Sequence, residues 1–278
     1  MNPIREALGN SWRRLKVNLT PVPVGKRWVF IVGCYNSGTT LFANMLGSHP
    51  DIAGLPTEGH FITDEFITDW EMDIPRMWCK REDIFRLNAQ STGPDPKRVM
   101  KEWAMRMDTS KPLLLEKSPP NTPRTLWLQE HFEDAHFIAL VRNGYAVAEG
   151  IRRKAEPKQC PDGWPIADCA RQWLRSYEVI DEDSVGLKKL QWLKYEDLVA
   201  DPPKHLNELA EFLGISPFDH LDGTESWSIH ERDEKIRDLN RASIDRLSPA
   251  DIDDINEVAG YMLDRFGYER LPGTGSSD

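Results

Sequence analysis

The chain has 278 residues, 40% hydrophobic and 29% charged, enough for one large α/β domain with a substantial core. Its 35 lysines and arginines stand against 45 acidic residues, and the net charge of −10 at pH 7 excludes bulk binding to nucleic acid or to an anionic membrane. An anionic ligand must therefore meet a locally basic site, and no run approaches the ~20 apolar residues of a membrane span.

In chain order, residues 1–26 place Trp12, Leu15 and Val17 among basic residues and read as a solvated leader helix. They lack the apolar stretch of a secretory signal, so the cytoplasm is the expected compartment. Trp28–Val32 reads as a buried strand that runs through Gly33 into a helix over Thr40–Ser48. A helix over Pro96–Met107 precedes a strand at Leu113–Leu115 and a helix at Asn121–Gln129. The strand Phe137–Val141 leads into helices Tyr145–Arg153 and Cys169–Glu182, and a fourth strand covers Gln191–Lys194. The segments "DPPKHLNELAEFLGI" and "SPADIDDINEVAGYMLDRFGYE" open on Asp201 and Ser248, each followed by proline, as helix N-termini do. Residues 271–278, "LPGTGSSD", read as a disordered tail.

Strands alternating with helices predict an α/β fold over residues 27–270, a P-loop-like three-layer sandwich with a central, mainly parallel sheet flanked by helices. Ligands bind such sheets at the carboxyl ends of the strands, which brings the loops after Val32, Leu115 and Val141 to one edge. Cys34, Cys79, Cys160 and Cys169 show neither CxxC spacing nor paired histidines, so no metal is expected. Cys160 and Cys169 bracket a loop that a disulfide would close, but free thiols are the expectation in a chain without an export signal.

Three loops carry candidate chemistry. Gly33 and Ser37-Gly38-Thr39-Thr40 form a strand-to-helix turn whose successive amides and helix dipole make an anion nest. A nucleoside triphosphatase would show GxxxxGK[ST]; here Thr39 follows Gly38, and Asn36 stands where such loops usually carry a cation. Arg142 ends the third strand, where a guanidinium can clamp a second phosphate, and Arg152, Arg153 and Lys154 follow one helix later. Lys117 leaves the second strand ahead of a proline-fixed loop, placed to neutralise charge on an oxygen as a bond breaks. Each has a plainer reading: a glycine turn, a solvated helix end, a surface lysine.

These segments resemble the sulfotransferases. "IVGCYNSGTTLFANMLGSHPDI" is similar to their 5′-phosphosulfate loop, "FIALVRNGYAVAEGI" to their 3′-phosphate motif and "EKSPPN" to their central lysine segment. "WLKYEDLVADPPKHLNELAEFLGI" and the late "LDRFGYE" continue the likeness, which runs from about Arg27 to Tyr268. "GSHPDI" and "GLPTEGHFIT" are closest in character to the bacterial and protein-tyrosine branch.

The resemblance implies a sulfuryl transferase using 3′-phosphoadenosine 5′-phosphosulfate, without a metal. It assigns Gly33, Asn36, Ser37, Gly38, Thr39, Thr40 and Leu41 to the 5′-phosphosulfate and Arg142 to the 3′-phosphate. Glu58 matches the general base and Lys117 the lysine that stabilises the leaving oxygen. His60 is a rival base, because imidazole titrates nearer neutrality. Two positions depart from the pattern: Asn36 replaces an arginine or lysine, and Gly150 replaces a serine, leaving only its amide as donor. Arg152, Arg153, Arg237 and Arg241 are the candidate helpers of Arg142. His49, Asp197 and Trp173 read as structural, with stacking on adenine as the alternative for Trp173.

The expected partner is a small-molecule or glycan hydroxyl, with lipid and tyrosine acceptors also open. Its cleft is drawn from residues 55–110 and the "AEPKQCPDGWPIADC" loop. A homodimer stays open. The competing classes are a nucleotide-binding relative without catalysis and a P-loop kinase or nucleotide hydrolase.

Overall fold

In the computed structural model, which describes residues 13–219, 226–229, 232–235 and 238–274, the strands of the main sheet all run parallel. They are β1 (Arg27–Val32), β2 (Ile52–Gly54), β3 (Leu113–Lys117), β4 (His136–Val141) and β5 (Leu190–Lys194), ordered β2-β3-β1-β4-β5. The helices are α1 (Thr39–Leu46), α2 (Glu82–Phe85), α3 (Pro96–Ala104), α4 (Thr125–His131), α5 (Gly144–Lys154), α6 (Ile166–Ser184), α7 (Tyr195–Ala200), α8 (Pro202–Leu213), α9 (Asn240–Ile244) and α10 (Pro249–Arg265). A separate antiparallel pair joins β6 (Ser226–Ile229) to β7 (Arg232–Lys235).

The three layers follow from the period-two alternation of the strands. In β1, Trp28, Phe30 and Val32 face one side and pack with Trp103 of α3, Phe132, Trp173 of α6 and Leu263 of α10. Val29 and Ile31 face the other side and meet Leu41, Phe42 and Met45 of α1 and Leu206 and Leu209 of α8. The first face is rich in aromatic pairs: the Trp28 and Phe132 rings meet edge to face at 4.9 Å. A strand buried on both faces needs helices on both sides, and these provide them.

Helix starts are set locally. Asn143 caps α5, its Oδ1 accepting from the Tyr145 and Ala146 amides at 3.0 and 3.4 Å. Ser248 and Asp251 form a reciprocal capping box on α10.

The structure also departs from expectation. The helix placed over Asn121–Gln129 starts as a 3-10 turn, Pro119–Arg124, because its prolines cannot donate α-helical bonds; α4 begins only at Thr125. β2 was not anticipated, being three residues long with no run of its own. The leader is less solvated than its composition indicates. Residues 13–19 are helical, Val17 is buried, and the Arg13 guanidinium donates to the Ile62 carbonyl at 2.6 Å and pairs with Asp64 and Glu102.

The tail is tied down as far as Thr274. Leu271 donates to the Tyr145 hydroxyl at 3.0 Å, and the Thr274 amide donates to Asp253 at 3.0 Å. All four cysteines are free thiols, as expected, and the Cys160 thiol bonds the Gly163 carbonyl instead of Cys169.

Gly33 shows how tightly β1 meets the site. Its φ is +141°, and a Cβ there would lie 2.5 Å from the Leu140 carbonyl oxygen on β4. Gly33→Ala is therefore expected to destabilise the protein by roughly 1–3 kcal/mol, read as a lower urea midpoint at unchanged slope.

Candidate active site

β1 lies between β3 and β4, with Ile31 opposite Lys117 and Val32 opposite Ala139. The loop leaving β1 therefore rises with Lys117 on one flank and Arg142 on the other. Its first residue is pinned by Thr122, whose hydroxyl accepts from the Gly33 amide and donates to the Gly33 carbonyl, both at 2.9 Å. Asn36 (φ 58°) and Gly38 (φ 88°) are left-handed, a conformation asparagine and glycine tolerate best. A Cβ on Gly38 would strike the Tyr195 ring at 2.6 Å, so that ring lies flush against the turn. The Ser37 hydroxyl is fully buried, 3.3 Å from that of Tyr177, which donates to Leu140 on β4 at 2.9 Å. Leu41 turns its side chain into the core beside Phe42.

Lys117 joins the loop to the segment after β2. Its Nζ donates to Glu58 Oε1 at 2.5 Å and to Thr40 Oγ1 at 3.1 Å, with the lysine side chain 10% exposed and Glu58 24%. Glu58 Oε2 lies 3.6 Å from His60 Nδ1. His60 is buried, and this burial, with Arg124 and Lys117 nearby, lowers its imidazole from 6.5 to about 3, so it stands neutral at ordinary pH.

Arg142 is held from three sides. Its Nε donates to Asn240 Oδ1 at 2.7 Å, Nη1 donates to the Asn36 carbonyl at 2.9 Å, and the Tyr195 ring lies 4.3 Å from the guanidinium carbon. Asn240 is in turn oriented by Glu196, whose Oε1 accepts from Asn240 Nδ2 at 2.6 Å and from the Asn143 amide at 3.0 Å. Glu196 Oε2 accepts from the Tyr268 hydroxyl at 2.8 Å. Among the described residues no carboxylate comes within ion-pair distance of Arg142. The cation is positioned by neutral groups, with no opposite charge set against it among the described residues.

The two positions that depart from the family pattern touch each other. A Cβ on Gly150 would sit 3.2 Å from Asn36 Cβ and 3.6 Å from its Nδ2. That Nδ2 is buried and has no hydrogen-bond partner. A serine at 150 would press on Asn36; the glycine gives the amide side chain room.

The remaining candidates separate. Arg152 forms a two-point pair with Asp251 at 2.6 and 3.1 Å, and Arg153 pairs with Glu149, which Arg246 also holds. Both brace α5 and neither bonds Arg142. Burial and the nearby Arg76, Arg153 and Arg142 keep the Lys154 ammonium below its usual range. Arg241 is exposed and pairs with Asp245, and Arg237 lies outside the described residues. Trp173 is fully buried and donates to the Arg142 carbonyl at 2.9 Å, so it packs beneath the site instead of facing a ligand. His49 bridges the Asp51 amide (3.1 Å) and the Ser216 carbonyl (3.0 Å), a structural role.

Sequence reasoning missed Tyr195, Glu196 and Asn240. It stopped at Asp197 in "YEDL". A signal was present for the first two: β5 pairs with β4, Lys194 lies opposite Val141, and the next residues must sit beside Arg142.

A parallel α/β sheet whose central strand runs through a glycine-containing turn into a helix, with a cation at the end of each neighbouring strand, is the P-loop-like architecture. A model of the sulfotransferase family matches residues 29–220. Protein-tyrosine sulfotransferase A of Caenorhabditis elegans is 25% identical over 87% of this chain and 67% of its own length. A protein-tyrosine sulfotransferase of Drosophila melanogaster is 24% identical over 84% of this chain and 47% of its own, so the chain spans about half of that relative. The solved sulfotransferase domain from the curacin biosynthetic pathway shares the fold, with a TM-score of 0.53 at 18% identity over 88% of this chain and 99% of that one. The chain belongs to the sulfotransferase family and is a sulfuryl-transferring enzyme. Among the described residues no helix is long and apolar enough to cross a membrane.

His60 gives the site an acid sensitivity. The unfolded chain takes up a proton near pH 6.5 where the folded one resists it until about 3, so the contribution to stability is whole above 6.5 and drains away as pH falls toward 3. His60→Gln is expected to flatten that part of the stability profile, measured as urea midpoints between about pH 4 and 7.

Proposed function

We propose that the enzyme moves the sulfuryl group of 3′-phosphoadenosine 5′-phosphosulfate onto an acceptor hydroxyl by in-line displacement, with Glu58 as general base. The observation that carries this reading is the Lys117 bridge: one ammonium holds the carboxylate of Glu58 and the Thr40 hydroxyl of the phosphate loop together. A base, a cation and an anion nest converge on one point. The donor set suits the nucleotide: loop amides for one anionic end, and an arginine without a carboxylate partner among the described residues for the other.

The donor supplies the sulfuryl group and a phosphate that leaves as charge builds on its oxygen. Glu58 accepts the proton of the acceptor hydroxyl at its carboxylate. Lys117 keeps positive charge beside the oxygen that becomes negative, and the amides of Ser37 to Thr40 fix the anion without any side-chain charge. Arg142, levelled by Tyr195 and aimed by Asn240, receives the 3′-phosphate; Gly150 lies inside α5, where its amide is committed to the helix, so it offers the phosphate no donor and instead makes room for Asn36. Asn36 serves as a neutral donor in place of the usual cation. The imidazole of His60, lowered to about 3, favours Glu58 over it as the base.

The acceptor is read as a hydroxyl on an apolar or aromatic body. Phe61, Ile67 and Trp70, all in the segment that follows Glu58, are about half exposed, and the tyrosine-directed names of the relatives agree with a phenol. Residues 27–270 are assigned to one catalytic domain, and the cytoplasm remains our assignment for its place of work.

Calorimetry with 3′-phosphoadenosine 5′-phosphate beside adenosine 5′-phosphate should show a clear preference for the former; equal, weak binding would overturn the donor assignment. Glu58→Gln and Lys117→Ala are each expected to lower transfer of labelled sulfate by roughly 10²–10⁴-fold while leaving nucleotide affinity nearly intact. Asn240→Ala should weaken the bisphosphate by about tenfold, the worth of one hydrogen bond to a charged group, with much less effect on adenosine 5′-phosphate.

A further inference from the structure

We propose that Glu116 is a positioning residue that sets the place of Glu58 by holding the peptide of Gly59; the inference rests on the reading of Glu58 as the base. Glu116 and Lys117 are consecutive on β3 and so face opposite sides of the sheet. Lys117 takes hold of the Glu58 carboxylate. Glu116, fully buried on the aromatic side, takes hold of the backbone one residue further on: its Oε1 accepts from the Gly59 amide at 2.9 Å.

The grip on Gly59 is two-sided. Its carbonyl accepts from the Trp103 indole at 2.9 Å, and Trp103 is also fully buried. A Cβ on Gly59 would lie 2.7 Å from the Trp103 ring and 2.8 Å from Glu116 Oε1, so only glycine lets both partners close in. The turn Gly59–Phe61 then starts immediately after Glu58, with the Phe61 amide donating to the Glu58 carbonyl at 3.1 Å.

Glu116 is built to be an acceptor and nothing else. Besides Gly59 it receives the Ser118 hydroxyl on Oε1 and Asn121 Nδ2 on Oε2 at 2.7 Å, so every neighbour that bonds it is a donor. Burial pushes its carboxyl up, against the pull of those donors. A buried carboxylate with no cation paired to it among the described residues is costly. Neither Glu116 nor Trp103 is accessible to a substrate, so their effect on the reaction runs through Glu58.

The test uses the full chain, labelled 3′-phosphoadenosine 5′-phosphosulfate and a panel of simple phenols, with 3′-phosphoadenosine 5′-phosphate affinity and thermal melting measured alongside. Glu116→Gln puts an N–H against a donor, and turnover should fall by roughly 10–100-fold with the bisphosphate Kd changed less than about twofold, as expected of a base displaced by a fraction of an ångström. Trp103→Phe removes the indole donor and keeps a ring in the core; it should lower turnover by about 3–10-fold. Added to Glu58→Gln, Glu116→Gln should cost nothing more, whereas a merely structural role would lower the residual activity again. Unchanged turnover in Glu116→Gln, a further loss in the double variant, or a parallel loss of nucleotide affinity would each overturn the proposal. If Glu116→Gln melts out, Trp103→Phe decides alone, and wild-type turnover there overturns it. An unmutated protein that transfers no sulfate would instead count against the proposed function.

Discussion

The ammonium of Lys117 ties Glu58, from the segment after the edge strand, to Thr40, at the start of the helix that follows the central strand. The pair is largely screened from water, and removing one partner of such a pair strands the other. Much of the architecture exists to make these atoms meet. Parallel pairing of β1 and β3 brings Lys117 level with Ile31, two residues short of the loop, and the Glu116–Gly59 contact brings Glu58 in from the opposite side. The link joins residues 59 and 77 apart in sequence, so the site exists only in the closed fold.

Across β1 the same logic is carried out with different chemistry. Lys117 meets a carboxylate, whereas Arg142 meets an amide, a carbonyl and a ring face. Neutral partners hold the guanidinium in place without cancelling its charge. Glu196 supplies the negative charge one step removed, through Asn240, so the arginine is steered without being quenched. In an acidic protein this indirect arrangement keeps a local centre of positive charge at the end of β4.

How much of this was legible in the sequence follows from the range of each interaction. Four of the five strands of the main sheet were readable because a buried strand shows as an apolar run, the three-residue β2 being too short to show one, and the loops could then be placed by the rule that parallel sheets bind ligands at their carboxyl ends. Lys117 and Arg142 are visible on that basis, as residues at strand ends. Asn240 and Glu116 were not: their roles depend on contacts 98 and 57 residues away, and nothing local marks them. The 3-10 turn at Pro119–Arg124 shows the limit from the other side, where prolines overrode an otherwise helical pattern. Arg152 and Arg153 show a third kind of limit, since a cluster of positive charge in the sequence says nothing of the carboxylates that claim it in space.

The contact between Gly150 and Asn36 has a meaning for descent. In a lineage carrying a serine at 150, an asparagine at 36 arriving first would meet a side chain already in its way. A glycine arriving first would open a gap beneath a longer cation. The two positions thus form one sterically coupled pair, 114 positions apart in the chain, in which the residue at one sets the room available at the other.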